Sequence, residues 1–188
     1  ARDVSALACR DQVVIEAEAT PTQRELDFLD PETGADRSIR VDWNSSLTLR
    51  NTKVRARPCG YWLSANASAA VERLRQLGIQ VMKVAEPGSV LAESYRETAR
   101  ETGNRQDVIG TIAGGGDIVR VQVSTQRSAI DAPAGSFYVP LNQPRANLAV
   151  AALEPDTQNS YFANRLIQEL GQSARVMAVP SLVFEETD

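Results

Sequence analysis

Residues 133–167 read "PAGSFYVPLNQPRANLAVAALEPDTQNSYFANRLI", a strand set directly against a helix. Pro133 and Gly135 open a turn, and SFYVPL is a strand that Pro140 ends. Pro144 suits the first turn of a helix, where its missing N–H costs nothing. Leu148, Ala151 and Ala152 recur at helical spacing, and Pro155 stops the run. The following DTQNSYFANRLIQEL carries Tyr161, Phe162, Leu166 and Ile167. That pattern predicts a helical cap packed on a sheet.

Upstream, strand rhythm dominates. QVVIEAEAT is rich in β-branched residues and is followed by Pro21. RELDFLD alternates, with Leu26 and Phe28 on one face and Glu25 and Asp27 on the other. SIRVDW alternates again and turns Ile39, Val41 and Trp43 inward. Pro31 and Gly34 punctuate the turn between them, which makes a hairpin. SLTLRNTKVRARP continues the rhythm, so residues 12–57 predict an antiparallel meander.

The next segment changes character. CGYWLSA is a short strand, NASAAVERLRQLG a helix and IQVMKVAEP a strand. Asn66 or Ser68 can cap the helix, and Ala70, Val71, Leu74 and Leu77 form its apolar stripe. Gly78 stands where a left-handed C-terminal residue belongs. This strand-helix-strand unit predicts a crossover between parallel or nearby strands. VLAESYRETARETG carries charges that suit a helix, yet Tyr95, Thr98 and their β-type neighbours allow a long strand, which is the favoured reading. The triple glycine Gly114–Gly116 precedes an alternating strand and lacks a following GK[ST] and helix, so it predicts a turn and no phosphate cradle. ARVMAVPSLVFEETD predicts a strand and an acidic tail. The whole is α+β: predominantly antiparallel sheet, sandwich-like, with one strand-helix-strand unit and two to three helices.

Composition closes several routes to function. Among 188 residues there is no histidine. Zinc hydrolases lean on imidazole ligands, and Ser or Cys nucleophiles usually borrow an imidazole base. A Ser–Lys pair would need Lys53 or Lys83, and each lies in a strand-like run. No pair of the 24 acids stands out by spacing as a glycosidase dyad. A net charge of −4 with dispersed basic residues argues against nucleic acid. No apolar run approaches the roughly 20 residues of a membrane span. No catalytic, cofactor-binding or metal-ligating residue is therefore assigned. Cys9 and Cys59 are either one disulfide or two buried thiols. Residues 1–10 read as a residual helix or linker from an upstream domain, with Val4 and Leu7 short of partners, and 11–188 as a single β-rich domain.

Three segments carry a resemblance. "PAGSFYVPLNQPRANLAVAALEPDTQNSYF", "CGYWLSANASAAVERLRQLGIQV" and "LDFLDPETGADRSIRVDW" are similar, in order, to the C-terminal region of bacterial zinc carboxypeptidases of the metallocarboxypeptidase family. In that family an HxxE motif and a later His hold zinc, and a Glu is the general base. No position here matches those motifs. The resemblance therefore implies a non-catalytic accessory domain whose partner is an upstream, zinc-bearing peptidase domain. It further implies a periplasmic or secreted setting, in which a Cys9–Cys59 disulfide is permitted. The docking surface is expected within 133–167, with Leu148 and Phe162 as its test residues. The alternative is a module for cell-wall peptide or glycan, built on Trp43, Tyr61, Trp62, Phe137, Tyr138, Tyr161 and Phe162. Stacking rings can form such a platform.

Overall fold

The computed structural model describes residues 4–104, 106–107, 110–111 and 117–186. The strands are β1 (Gln12–Thr20), β2 (Gln23–Leu29), β3 (Asp36–Asp42), β4 (Ser45–Ala56), β5 (Gly60–Leu63), β6 (Met82–Lys83), β7 (Gly88–Asn104), β8 (Gln106–Asp107), β9 (Gly110–Thr111), β10 (Asp117–Ala132), β11 (Phe137–Pro140) and β12 (Ser173–Val176). The helices are α1 (Ser68–Gln76) and α2 (Ala146–Leu153). The chain divides into two compact units, one of residues up to Ile15 with those from Arg55 onward, the other Glu16–Val54.

The larger unit is organised by a six-stranded sheet in the order β10-β7-β12-β5-β11-β6. Every neighbouring pair is antiparallel. β5, α1 and β6 form the predicted strand-helix-strand unit, but β11 inserts between its two strands. β5 and β6 thus run the same way without touching, each antiparallel to β11. The insertion requires Gly60: a Cβ there would lie 2.5 Å from both the Tyr138 ring and the Val139 carbonyl.

Period-two alternation assigns each strand residue a side. Tyr61, Leu63, Phe137 and Val139 face α1 and α2, where Ala70, Val71, Leu74, Ala149, Val150 and Leu153 are buried. Burying one such leucine contributes about 1.5–3 kcal/mol. On the other side Tyr138, Ala174, Val176, Val90 and Ala92 meet Leu182 and Phe184 of the C-terminal segment. The predicted acidic tail therefore covers the sheet, and Phe184 bridges to Val84.

Gly78, at φ +71°, closes α1 with its N–H on the Arg75 carbonyl at 2.8 Å. The opposite end differs from expectation. Neither Asn66 nor Ser68 caps it; a 3-10 turn over Ala65–Ala67 feeds directly into the helix. Residues 156–170 are also not the helical cap expected. Ser160 folds them into turns, accepting from Ala163 N–H at 2.9 Å and donating to the Pro155 carbonyl at 2.9 Å. Arg165 adopts φ +61°, which no α-helix accommodates. The long strand favoured over a helix for 90–103 is present, spanning Gly88–Asn104, and the alternating run after the glycines is the strand Asp117–Ala132. Gly114–Gly116 lies outside the described residues.

The smaller unit corrects the expected meander. β1 pairs with β4 and β2 with β3, a nested arrangement rather than a consecutive one. Pro21 lacks a donor and interrupts one arm; Trp43 N–H reaches the Thr22 carbonyl at 2.6 Å and carries the ribbon across the break. At the tip, the Asp30 carboxylate accepts the N–H groups of Glu32 and Thr33, both at 3.0 Å. Those two donors hold its pKa below the usual carboxylate value. Gly34 supplies φ +68°, and its N–H bonds the Asp30 carbonyl at 2.8 Å.

The N-terminal segment is not the loosely held helix end expected. Val4–Leu7 is one 3-10 turn. Ala8 packs on the core, Cys9 is bonded to Cys59, and Cys9 N–H donates to the Pro58 carbonyl at 3.2 Å.

Candidate functional site

Four polar side chains from distant parts of the chain converge beneath the sheet: Arg55 on β4, Tyr61 on β5, Glu154 just past α2 and Arg175 on β12. Their placement follows from strand parity. Arg175 pairs with Tyr61 in register and lies on the same side. Glu154 is fully buried. Its Oε1 accepts from Tyr61 Oη and Arg175 Nε, each at 2.8 Å, and its Oε2 accepts from Arg55 Nη1 at 2.8 Å. Arg55 also clasps both oxygens of Asp156, at 2.8 and 2.6 Å, and donates to the Val123 carbonyl at 3.1 Å. Arg175 further engages Glu93 and the Ala56 carbonyl. The second oxygen of Glu93 accepts from Arg127 at 2.8 Å. Three guanidiniums thus balance three carboxylates.

Burial pushes the Tyr61 and Tyr95 phenols well above their ordinary value, and the nearby Glu154 charge adds to the effect. For Arg55 and Arg175 burial acts to lower the pKa. The surrounding carboxylates, Asp156 for Arg55 and Glu154 for Arg175, outweigh it and hold both above the ordinary value. A general acid or base needs a lone pair or proton turned towards a substrate. Both Glu154 oxygens are engaged within the core, so this network ties strands together. It does not present a reactive group. A sequence signal for it existed: Lys53, Arg55 and Arg57 alternate with Val54 and Ala56, placing guanidiniums at strand positions that face inward.

The aromatic set does not assemble into a platform. Tyr61, Phe137, Tyr138, Tyr161 and Phe162 are buried, Trp62 is half-buried, and Trp43 is exposed in the other unit. Among the described residues no group of three or more His, Cys, Asp or Glu is placed to hold a metal ion. No helix among them is long and apolar enough to cross a membrane.

The strongest candidate surface is the β2–β3 ribbon. Leu26 pairs with Ile39, Arg24 with Val41 and Phe28 with Arg37, all on one face. The Arg24 guanidinium lies 5.4 Å from the Trp43 ring centroid. Phe28, Ile39 and Trp43 remain 46, 38 and 42% exposed. The reverse face is polar apart from Leu29, with Arg40 on Glu25 at 3.5 Å, Ser38 on Asp27 at 2.7 Å and Gln23 on Asp42 at 3.0 Å. The sequence turned Ile39, Val41 and Trp43 inward; they do share a face, but that face is not a covered core. A ribbon has a single layer, and alternation reports a shared face without supplying what lies over it. Of the two residues that mark the docking stretch expected at 133–167, Phe162 is buried and belongs to the core, whereas Leu148 is 42% exposed.

No family model, curated protein or solved structure matches this chain.

Proposed function

We propose that the chain is a non-catalytic accessory domain of a zinc carboxypeptidase-like protein, docking on its peptidase domain through the β2–β3 ribbon. The parent would remove residues from peptide C-termini with zinc held in that other domain. The observation that carries the docking surface is the uncovered face of Leu26, Phe28, Ile39 and Trp43. An isolated two-stranded ribbon is marginal in water, and burying one apolar face against another layer stabilises it. The three ordered segments that resemble such peptidases support the choice of partner. Arg24 and Arg37 flank the apolar face with no acid on it, so a partner with a carboxylate rim suits it. A second copy would oppose like charges at those positions. The Cys9–Cys59 disulfide fits an oxidising, periplasmic or secreted setting.

The test is calorimetric titration of this chain with the peptidase domain supplied separately. Saturable binding that Phe28→Asp weakens at least tenfold is expected. Absence of binding, or binding that Phe28→Asp leaves unchanged, overturns the docking surface.

A further inference from the structure

A cleft of about 690 Å³ lies in the larger unit, between the segment Ser5–Arg10 and the sheet face that carries Tyr138. That volume is within the range of sites for small organic ligands. Its floor is apolar and aromatic: Tyr138 and Phe184 stack with ring centroids 5.8 Å apart, and Met82 lies beside them. Among the described residues its polar lining includes Gln80, Asn142 and Arg10, and no carboxylate contributes to it. Among the described residues Arg10 is thus the single charged residue lining the cleft, and no ion pair engages it. An aromatic floor beside one guanidinium favours a ligand with a flat apolar body and one negative end.

The Cys9–Cys59 disulfide forms part of the same wall. Cys59 belongs to the sheet side and is buried, whereas Cys9 belongs to the N-terminal segment and is exposed. Cys9 and Asp11 both adopt positive φ, 62° and 60°, a left-handed conformation uncommon for non-glycine residues although Asp accepts it more readily than most. Beyond the disulfide, backbone bonds from Cys9 to Pro58 and from Arg57 to Asp11 fix this course. The disulfide and these bonds together position Arg10 at the cleft, and the disulfide is the one covalent tie among them.

We propose that this cleft binds a small aryl or branched-alkyl carboxylate, and that it does so only while Cys9 and Cys59 are bridged. The site is independent of the ribbon and of any peptidase partner, so it can fail or succeed separately from the docking reading.

The experiment is an NMR or calorimetric titration of the whole chain with 3-phenylpropionate and, as the uncharged control, 3-phenylpropanamide. The carboxylate is expected to bind about tenfold more tightly than the amide. Arg10→Gln is expected to remove that preference while leaving amide binding unchanged. The Cys9→Ser, Cys59→Ser double variant is expected to lose carboxylate binding; its intact fold is checked by amide chemical shifts of the sheet. No binding to the native chain, equal binding of both probes, or a preference that survives Arg10→Gln overturns the site. Full carboxylate binding by a folded double-serine variant overturns the dependence on the bridge.

Discussion

Arg175 and Glu154 share a 2.8 Å ion pair in which neither side chain is more than 1% exposed. The pair joins β12 to the segment after α2, and Tyr61 binds the same carboxylate oxygen from β5. Removing Arg175 leaves the buried network one cation short, with Glu154 held by Arg55 alone among the guanidiniums. Arg175→Met is expected to cost about 3–5 kcal/mol in urea denaturation. Tyr61→Phe removes a donor and leaves the charges balanced, so about 1–3 kcal/mol is expected. An Arg175→Met loss below that of Tyr61→Phe would contradict the network described.

The disulfide spans a sequence separation of 50 residues. Chain-entropy arguments for a loop of that length give about 4 kcal/mol of stabilisation. Reduction should lower the denaturation midpoint accordingly, as followed by circular dichroism with and without a phosphine reductant. An unchanged midpoint would mean that the segment before Gln12 contributes nothing to the fold.

All four tyrosines lie above their ordinary pKa, and burial is the leading cause at each. Tyr138 is pushed up to about 12. The folded chain then keeps phenolic protons that the unfolded chain releases near pH 10. Stability from this source is fully present below that pH and is lost as pH rises towards 12. Tyrosinate absorbance should rise together with unfolding. A step near pH 10 in chain that is still folded would show that at least one ring is accessible.

Gly60→Ala tests the insertion of β11. The added methyl would meet the Val139 carbonyl, which the sheet fixes, as well as the Tyr138 ring. A destabilisation of about 1–3 kcal/mol is expected from the overpacking. A neutral result in thermal melts would mean that β5 and β11 separate easily.

Phe28→Asp gives the contrasting case. Phe28 is nearly half exposed and its face is uncovered, so the isolated chain should lose less than about 0.5 kcal/mol. A large loss would show the ribbon face to be part of a core.

Much of the sheet was legible because alternation is local. Leu26 with Phe28, and Ile39 with Val41, announce two strands and their hairpin. Gly78 announces the end of α1. What the residues around Ser160 do was not legible, because Tyr161, Phe162 and Ile167 have helical spacing while Ser160 hydroxyl bonds hold the backbone in turns. The network around Glu154 escaped for a different reason. Its hydrogen bonds join positions as far as 119 apart, and nothing near Glu154 indicates that Arg55 and Arg175 will meet it. The nested pairing of β1 with β4 escaped likewise, since alternation sets a strand's faces and not its neighbour.

The insertion of β11 beside β5 also sets an order of events during folding. β5 ends at Leu63, yet its two neighbours are β11 and β12, which begin at Phe137 and Ser173. A growing chain thus holds β5 without a sheet neighbour until β11 arrives, and with one open edge until β12 follows. The β7–β10 pair forms between nearer segments, closing with fewer residues in its loop, and is the natural nucleus. Until the later strands dock, Tyr61 and Leu63 lack their sheet neighbours on a nascent chain, the kind of open edge on which chaperones act.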